Sequence, residues 1–142
     1  MARVLVTGAS GRTGRYVVSE LLARGHSIRG LYRKTPGANP GVTWLQANLS
    51  QPGALHPLLD GCDAVIHLAA ELREQSLMDA VNVDATRRLV AASNEHGIRY
   101  FGYASSIVIY GSPCKREVDE ATPRVDPFAP MSKQYYARAL YA

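Results

Sequence analysis

The sequence of 142 residues contains few cysteines and no long hydrophobic run, and both absences restrict what the protein can be. Its two cysteines, Cys62 and Cys114, form neither a disulfide framework nor a metal-ligand pattern. No apolar stretch approaches the roughly 20 residues that a membrane-spanning helix needs. We therefore expect a cytoplasmic protein with no metal site and no membrane association.

Dense basic runs with interleaved aromatic residues are also missing, and this argues against nucleic acid as a partner. The formal net charge is only +4, and the positive charge is enriched in the first quarter of the chain, which suits an anionic small molecule. The sequence has no internal repeat and no low-complexity segment. A length of 142 residues and a hydrophobic content of 46% are those of one soluble domain, which we place over residues 1–142.

The first sixteen residues read as a strand, a glycine loop and the start of a helix. Residues 3–7 are a short apolar run, and Gly8-Ala-Ser-Gly11-Arg-Thr-Gly14 follows at once. In a dinucleotide site the first glycine permits a tight turn, the second lets the phosphates approach the backbone, and the third lets the helix pack closely. The predicted phosphate-binding residues are Gly8, Ser10, Gly11, Arg12, Thr13 and Gly14.

Strand and helix patterns alternate along the rest of the chain. Such alternation predicts an α/β fold, a doubly wound parallel sheet with helices on both faces. Predicted strands are 3–7, 27–32, 42–46, 63–70 and 100–105, and predicted helices are 13–24, 51–60, 82–96 and 132–142. His67 falls inside an apolar strand, where a packed core residue is the favoured interpretation.

Five segments together resemble one family of enzymes. They are the G-x-x-G-x-x-G loop after Thr7, Asp63-Ala-Val-Ile-His-Leu-Ala-Ala70, Asn82-Val-Asp-Ala-Thr86, Tyr103-Ala-Ser-Ser-Ile-Val-Ile-Tyr-Gly111 and Ser132-Lys133. In this order they resemble the extended, epimerase/dehydratase-like branch of the short-chain dehydrogenase/reductase superfamily, with Ala85 in place of the usual glycine. The resemblance implies a Rossmann-type fold and a bound NAD(P). Extended members are about twice this long, so we expect the C-terminal substrate lobe to be absent from the chain, which would then be incomplete.

The resemblance also implies where the rest of the cofactor lies. Asn48 stands where the family commonly has an aspartate beside the adenine, and an amide oxygen can still make that bond. The other residues expected near the cofactor are Leu49, Leu68, Ala69, Ala70, Asn82, Ala104 and Ser105.

The end of the second strand predicts which cofactor is used. Enzymes that prefer NAD usually place an acidic residue there for the ribose hydroxyls, but this chain has Leu31-Tyr32-Arg33-Lys34. A guanidinium can bind two oxygens of a 2′-phosphate, and Arg33 and Arg12 are the candidates. The alternative interpretation is that both are solvated surface arginines. We predict NADP, with NAD the less favoured cofactor.

The catalytic half of the pattern is incomplete. In the family a serine binds the reacting oxygen, a tyrosine exchanges a proton, and a lysine four residues later holds the nicotinamide ribose. Ser106 matches the serine and Lys133 the lysine, but Ala129 stands where the tyrosine belongs. Tyr136 is the candidate replacement, with Leu140 in the lysine position. Alternatively, Tyr135 or Tyr136 lies near Lys133 in space, one turn along the same helix.

Two functions remain open at this stage. The leading one is an NAD(P)-dependent oxidoreductase or epimerase/dehydratase acting on a hydroxyl- or carbonyl-bearing metabolite, such as a nucleotide sugar or a ketone. The alternative is a non-catalytic, NADP-binding, redox-sensing regulator that has lost the tyrosine. In either case the exposed last strand is expected to need a partner, for which a homodimer is the candidate arrangement.

Overall fold

The computed structural model describes residues 1–51, 53, 55–110 and 117–124. The strands are β1 (Arg3–Thr7), β2 (Ser27–Tyr32), β3 (Val42–Gln46), β4 (Ala64–His67) and β5 (Tyr100–Tyr103). The helices are α1 (Arg12–Ala23), α2 (His56–Leu59), α3 (Gln75–Met78) and α4 (Ala85–Glu95). A π-helical turn, Asp79–Asp84, joins α3 to α4, and a 3-10 turn, Ile107–Tyr110, follows β5. The predicted helix 132–142 lies outside the described residues.

The five strands form one parallel sheet in the order β3-β2-β1-β4-β5. Strand β1 is central, so that Val4 lies between Ile28 of β2 and Ala64 of β4. The predicted doubly wound parallel sheet is therefore confirmed. In such a sheet, ligands bind beyond the carboxyl ends of the strands at the point where the strand order reverses, which here lies between β1 and β4.

The hydrophobic core lies on both faces of the sheet. Leu5 of β1 is fully buried with Leu59 of α2 and Leu89 of α4 on one face. Its neighbours Val4 and Val6 point to the opposite face and belong to a second cluster. That cluster includes Val18 of α1 and Ile28 of β2. The alternation of side chains along β1 thus supplies both layers of the predicted fold.

Helix α2 is shorter than predicted, because it covers only His56–Leu59 of the predicted 51–60. Pro57 lies in its first turn, where its missing N–H is tolerated. A helix that reached back to residue 51 would place Pro57 in its interior, where the missing N–H costs a hydrogen bond and the ring clashes with the preceding turn.

Strands β4 and β5 end earlier than predicted, at His67 and Tyr103. Beyond His67 the backbone N–H of Leu68 is shared between the Thr7 carbonyl and the Thr7 hydroxyl, and that of Ala69 donates to the hydroxyl. The helix predicted over 82–96 corresponds to a longer helical segment that begins at Gln75 and contains the π-helical turn. None of the helices in the described part of the chain is long and apolar enough to cross a membrane.

Candidate dinucleotide site

A cavity of about 370 Å³ opens at the carboxyl ends of β1, β2 and β4. Its size lies in the range typical of small-molecule sites. The residues that line it include nine of those predicted from the sequence together with others that were not. They are Gly8, Ser10, Gly11, Leu31, Tyr32, Arg33, Ala47, Asn48, Leu49, Leu68, Ala69, Ala70, Glu71 and Val81.

The glycine loop forms the floor of this cavity. Gly8 has φ +68°, a left-handed conformation that favours glycine, and its carbonyl accepts the N–H of Gly11 at 2.9 Å. A Cβ on Gly14 would lie 2.1 Å from the Gly8 oxygen, so only glycine lets α1 start this close to the loop. Gly14 was predicted to bring the helix close to the sheet, and it packs on the loop itself. The backbone cradle therefore fits a pyrophosphate at the N-terminus of α1.

Two predicted phosphate-binding residues lie beside the cavity rather than in its lining. Arg12 and Thr13 form the first turn of α1 and are exposed. The Arg12 side chain is long enough for the charge of its guanidinium to influence an anion bound at this loop. Contact of these two side chains with the cofactor stays a prediction.

The wall formed by Asn48 and Leu49 is held by a residue that the sequence did not indicate. The Arg88 guanidinium of α4 donates to the carbonyl oxygens of Leu49 at 2.9 Å and Gln51 at 3.0 Å. In a third hydrogen bond, Arg88 Nε donates to the backbone carbonyl oxygen of Asp84 at 3.3 Å. Arg88 thus ties the loop after β3 to α4 and fixes one side of the cavity.

The opposite wall brings a carboxylate into the cavity. Glu71 follows β4, and its Oε2 lies 3.6 Å from Arg33 Nη1, which comes from the end of β2. Glu71 Oε1 accepts backbone N–H groups, and the bond from Arg73 is foremost among the interactions that lower the pKa of this carboxyl group. The sequence prediction considered only the end of β2, so it missed an acid that parallel pairing places beside the same cavity.

Asn82 holds Glu71 in place rather than lining the cavity. It is buried, its Oδ1 accepts the Glu71 N–H at 2.7 Å, and its Nδ2 donates to the Glu71 carbonyl at 2.9 Å. Both ends of the amide are therefore engaged with the backbone of one residue. The structure thus gives Asn82 a positioning role, and its predicted contact with the cofactor stays a prediction.

A buried network supports the turn from β4 into the cavity. Thr7 Oγ1 accepts the N–H groups of Leu68 and Ala69 at 3.2 and 3.1 Å, so its own proton is directed to His67 Nδ1. His67 Nε2 then donates to Thr86 Oγ1 at 2.9 Å. Burial lowers the pKa of His67 to about 4, which keeps the ring neutral in this tautomer. The predicted structural role of His67 agrees with these contacts.

The predicted catalytic residues are only partly described. Ala104 and Ser105 are exposed directly after β5, and Ser106 is half-buried where its carbonyl accepts the N–H of Ile109 at 3.3 Å. None of the three lines the cavity. Lys133 and Tyr136 lie outside the described residues.

A glycine turn and a cavity at the switch point of a parallel sheet define a dinucleotide-binding α/β domain. Comparison with known families agrees with this class. The profile of the NAD dependent epimerase/dehydratase family matches residues 4–142, and the chain belongs to that family.

Individual relatives within this family differ in the reactions that their names describe. A 3 beta-hydroxysteroid dehydrogenase/Delta 5-->4-isomerase of Mycobacterium tuberculosis is 33% identical over 144 residues, covering 90% of this chain and 38% of that protein. An N-acetyl-alpha-D-glucosaminyl-diphospho-ditrans,octacis-undecaprenol 4-epimerase of Escherichia coli O157:H7 is 34% identical over 129 residues, covering 88% and 38%.

Solved structures agree with the fold over nearly the whole chain. A short-chain dehydrogenase/reductase superfamily protein from Agrobacterium tumefaciens, crystallised with bound NAD, matches with a TM-score of 0.84 and 32% identity. The match covers 98% of this chain and 42% of that one. The chain thus spans less than half the length of these three relatives.

Proposed function

We propose that the chain is the cofactor-binding part of an NADP-dependent oxidoreductase or epimerase/dehydratase. Its substrate would be a hydroxyl- or carbonyl-bearing metabolite, such as a nucleotide sugar or a ketone. The observation that carries the proposal is the close packing of Gly14 on the Gly8 carbonyl, which opens the loop to a pyrophosphate. The relatives lend no support to the regulator hypothesis.

Each part of the cofactor has residues suited to it. The pyrophosphate would lie on the loop from Gly8 to Gly11, and the adenosine would lie against the wall that Asn48 and Leu49 form. The nicotinamide, when bound, supplies a hydride donor or acceptor. Ser106 would hold the reacting oxygen of the substrate by a hydrogen bond.

Lys133 and Tyr136 remain the candidates for ribose binding and proton exchange. The lysine ammonium would also favour ionisation of a nearby tyrosine through its positive charge. Cytoplasmic residence and a homodimer likewise remain predictions.

The choice of NADP rests on Arg33. Its guanidinium lines the cavity at the end of β2, where dinucleotide enzymes recognise the adenosine ribose. A 2′-phosphate offers several oxygen atoms to a guanidinium, whereas a ribose hydroxyl offers one. Arg12 would add positive charge near the same end of the cofactor.

Calorimetric titration of the purified protein with NADP⁺ and NAD⁺ tests this proposal. We expect Arg33→Met to weaken NADP⁺ roughly tenfold or more and NAD⁺ much less, since a hydrogen bond to a charged group contributes about 1.5–3 kcal/mol. Arg24→Met is the matched control, because Arg24 is an exposed arginine that pairs with Glu20 on α1. Equal losses for both cofactors would refute the role of Arg33 in binding a 2′-phosphate.

The catalytic part needs a separate assay. Hydride transfer from NADPH is followed spectroscopically in the whole enzyme of which this chain is the proposed cofactor-binding part, with a panel of ketones and sugar nucleotides, and the Ser106→Ala variant is compared. We expect turnover that falls in the variant while NADP⁺ affinity is retained. Tight binding of NADPH with no turnover on any substrate would favour the regulator hypothesis instead.

A further inference from the structure

Arg33 and Glu71 form an ion pair that joins the two sides of the cavity. Arg33 follows β2 and Glu71 follows β4, and these strands flank β1 on either side. Both residues line the cavity, with Nη1 of Arg33 3.6 Å from Oε2 of Glu71. The ion pair therefore lies across the space that a dinucleotide would enter beyond the end of β1.

Of the two partners, Glu71 is the fixed one. Its side chain is only 13% exposed, whereas that of Arg33 is 53% exposed. Glu71 Oε1 accepts three backbone N–H groups of the following turn, and the amide of Asn82 holds its backbone. Bonds of this kind hold the carboxylate in its ionised form and in one position. Any rearrangement on binding must come from the half-exposed arginine.

An ionised carboxylate beside Arg33 affects the two cofactors differently. A 2′-phosphate carries negative charge, so it competes with Glu71 for the guanidinium and is repelled by the carboxylate. A ribose 2′-hydroxyl carries no charge and leaves the ion pair in place. NADP therefore meets an opposing charge that NAD does not.

We propose that Glu71 is a specificity-determining residue, which competes with the 2′-phosphate for Arg33 and thereby limits the preference for NADP over NAD. This inference rests on the proposed function, in which Arg33 receives the 2′-phosphate. The protein would consequently bind both dinucleotides, and its affinities for NADP and NAD would differ less than they would with Arg33 alone. The absence of an acidic residue at the end of β2 favours NADP, and Glu71 opposes that preference.

The test is a double-mutant cycle read by calorimetric affinity for NADP⁺ and NAD⁺. Its members are the unmodified protein, Glu71→Gln, Arg33→Met and the double variant. Glutamine keeps an oxygen that can accept the N–H groups of the turn, and thermal unfolding checks that each variant is folded. Glu74→Gln is the matched control, because Glu74 lies in the same turn but does not line the cavity.

We expect Glu71→Gln to raise the ratio of NADP⁺ to NAD⁺ affinity by roughly three- to tenfold, the size of effect that one nearby charge has in a partly solvated site. The same substitution should raise the ratio less when Arg33 is methionine, because only the direct repulsion of the 2′-phosphate is then relieved, and Glu74→Gln should leave the ratio unchanged throughout. A selective loss of NADP⁺ in Arg33→Met without a selective gain in Glu71→Gln overturns this inference alone. Equal losses of both cofactors in Arg33→Met overturn the proposed 2′-phosphate site and this inference with it.

Discussion

Replacing Gly14 with alanine tests whether the glycine loop is built as tightly as the structure indicates. The added Cβ would lie 2.1 Å from the Gly8 oxygen and 2.8 Å from the Ala9 Cα, whereas ordinary contacts of a Cβ begin at 3.4 Å. The neighbouring atoms are backbone, so no side chain can rotate away to relieve the overlap. The start of α1 must therefore move away from the loop.

The size of that movement sets the expected effect. Overfilling a packed site costs about 1–3 kcal/mol, and we expect the free energy of unfolding to fall by at least that amount. A displacement of about 1 Å in a binding group can reduce function on the order of 100-fold, so NADP⁺ affinity should fall steeply as well. Urea denaturation measures the stability, and calorimetry measures the affinity.

Gly53→Ala is the control for this substitution. A Cβ at Gly53 meets nothing within 4 Å, and its backbone is not in the left-handed region. We expect its stability to remain within about 0.5 kcal/mol of the unmodified protein, as for other surface substitutions. If Gly14→Ala were as stable as this control and bound NADP⁺ equally well, the argument from close packing would be refuted.

Three further predictions concern the residues that support the cavity. The unfolded chain protonates His67 near its ordinary pKa of 6.5 and the folded chain only at about 4. The free energy of unfolding should therefore fall by up to about 3 kcal/mol as the pH drops from 7 to 4. Urea titrations of His67→Gln should lose that part of the pH dependence, and an unchanged profile would contradict the assignment. Arg88→Met should weaken NADP⁺ and NAD⁺ alike by severalfold in calorimetry, because it releases the wall on the adenosine side, whereas Arg24→Met should weaken neither. Thr7→Val keeps the shape of the side chain but leaves the Ala69 N–H without its acceptor and the buried His67 Nδ1 without its donor, so thermal unfolding should reveal a loss of about 1–3 kcal/mol. A neutral effect would show that the hydroxyl is dispensable.

Local sequence patterns predicted the sheet and the loop well, because short-range chemistry decides both. The bounds of β2 and β3 agree with the prediction, and Gly8 has the positive φ that its turn requires. The predictions failed where contacts between distant segments decide the outcome. Strand β4 ends at His67, where the Thr7 hydroxyl accepts the N–H of Ala69 and shares that of Leu68 with the Thr7 carbonyl, and no pattern within residues 63–70 contains that information.

Contacts between distant segments also account for the residues of the site that the sequence did not reveal. In the sequence, Arg88 is an ordinary charged residue of an amphipathic helix. Only the fold brings its guanidinium within hydrogen-bond distance of the carbonyl groups of Leu49 and Gln51. Glu71 is far from Arg33 in the sequence, and the order of strands around β1 brings them together. A prediction of cofactor choice from the end of β2 alone therefore omits a carboxylate that lies beside Arg33 in the same cavity.

A series of hydrogen bonds connects Glu71 to β1, the strand that precedes the glycine loop. Thr7 in β1 donates to His67, His67 donates to Thr86, and Thr86 donates to the carbonyl of Asn82 at 2.8 Å. The side chain of Asn82 then holds the backbone of Glu71. Because buried polar networks are costly when one member is left unpaired, these residues fix one another's positions. Asn82 and Thr86 therefore fix the position of Glu71, although neither of them lines the cavity.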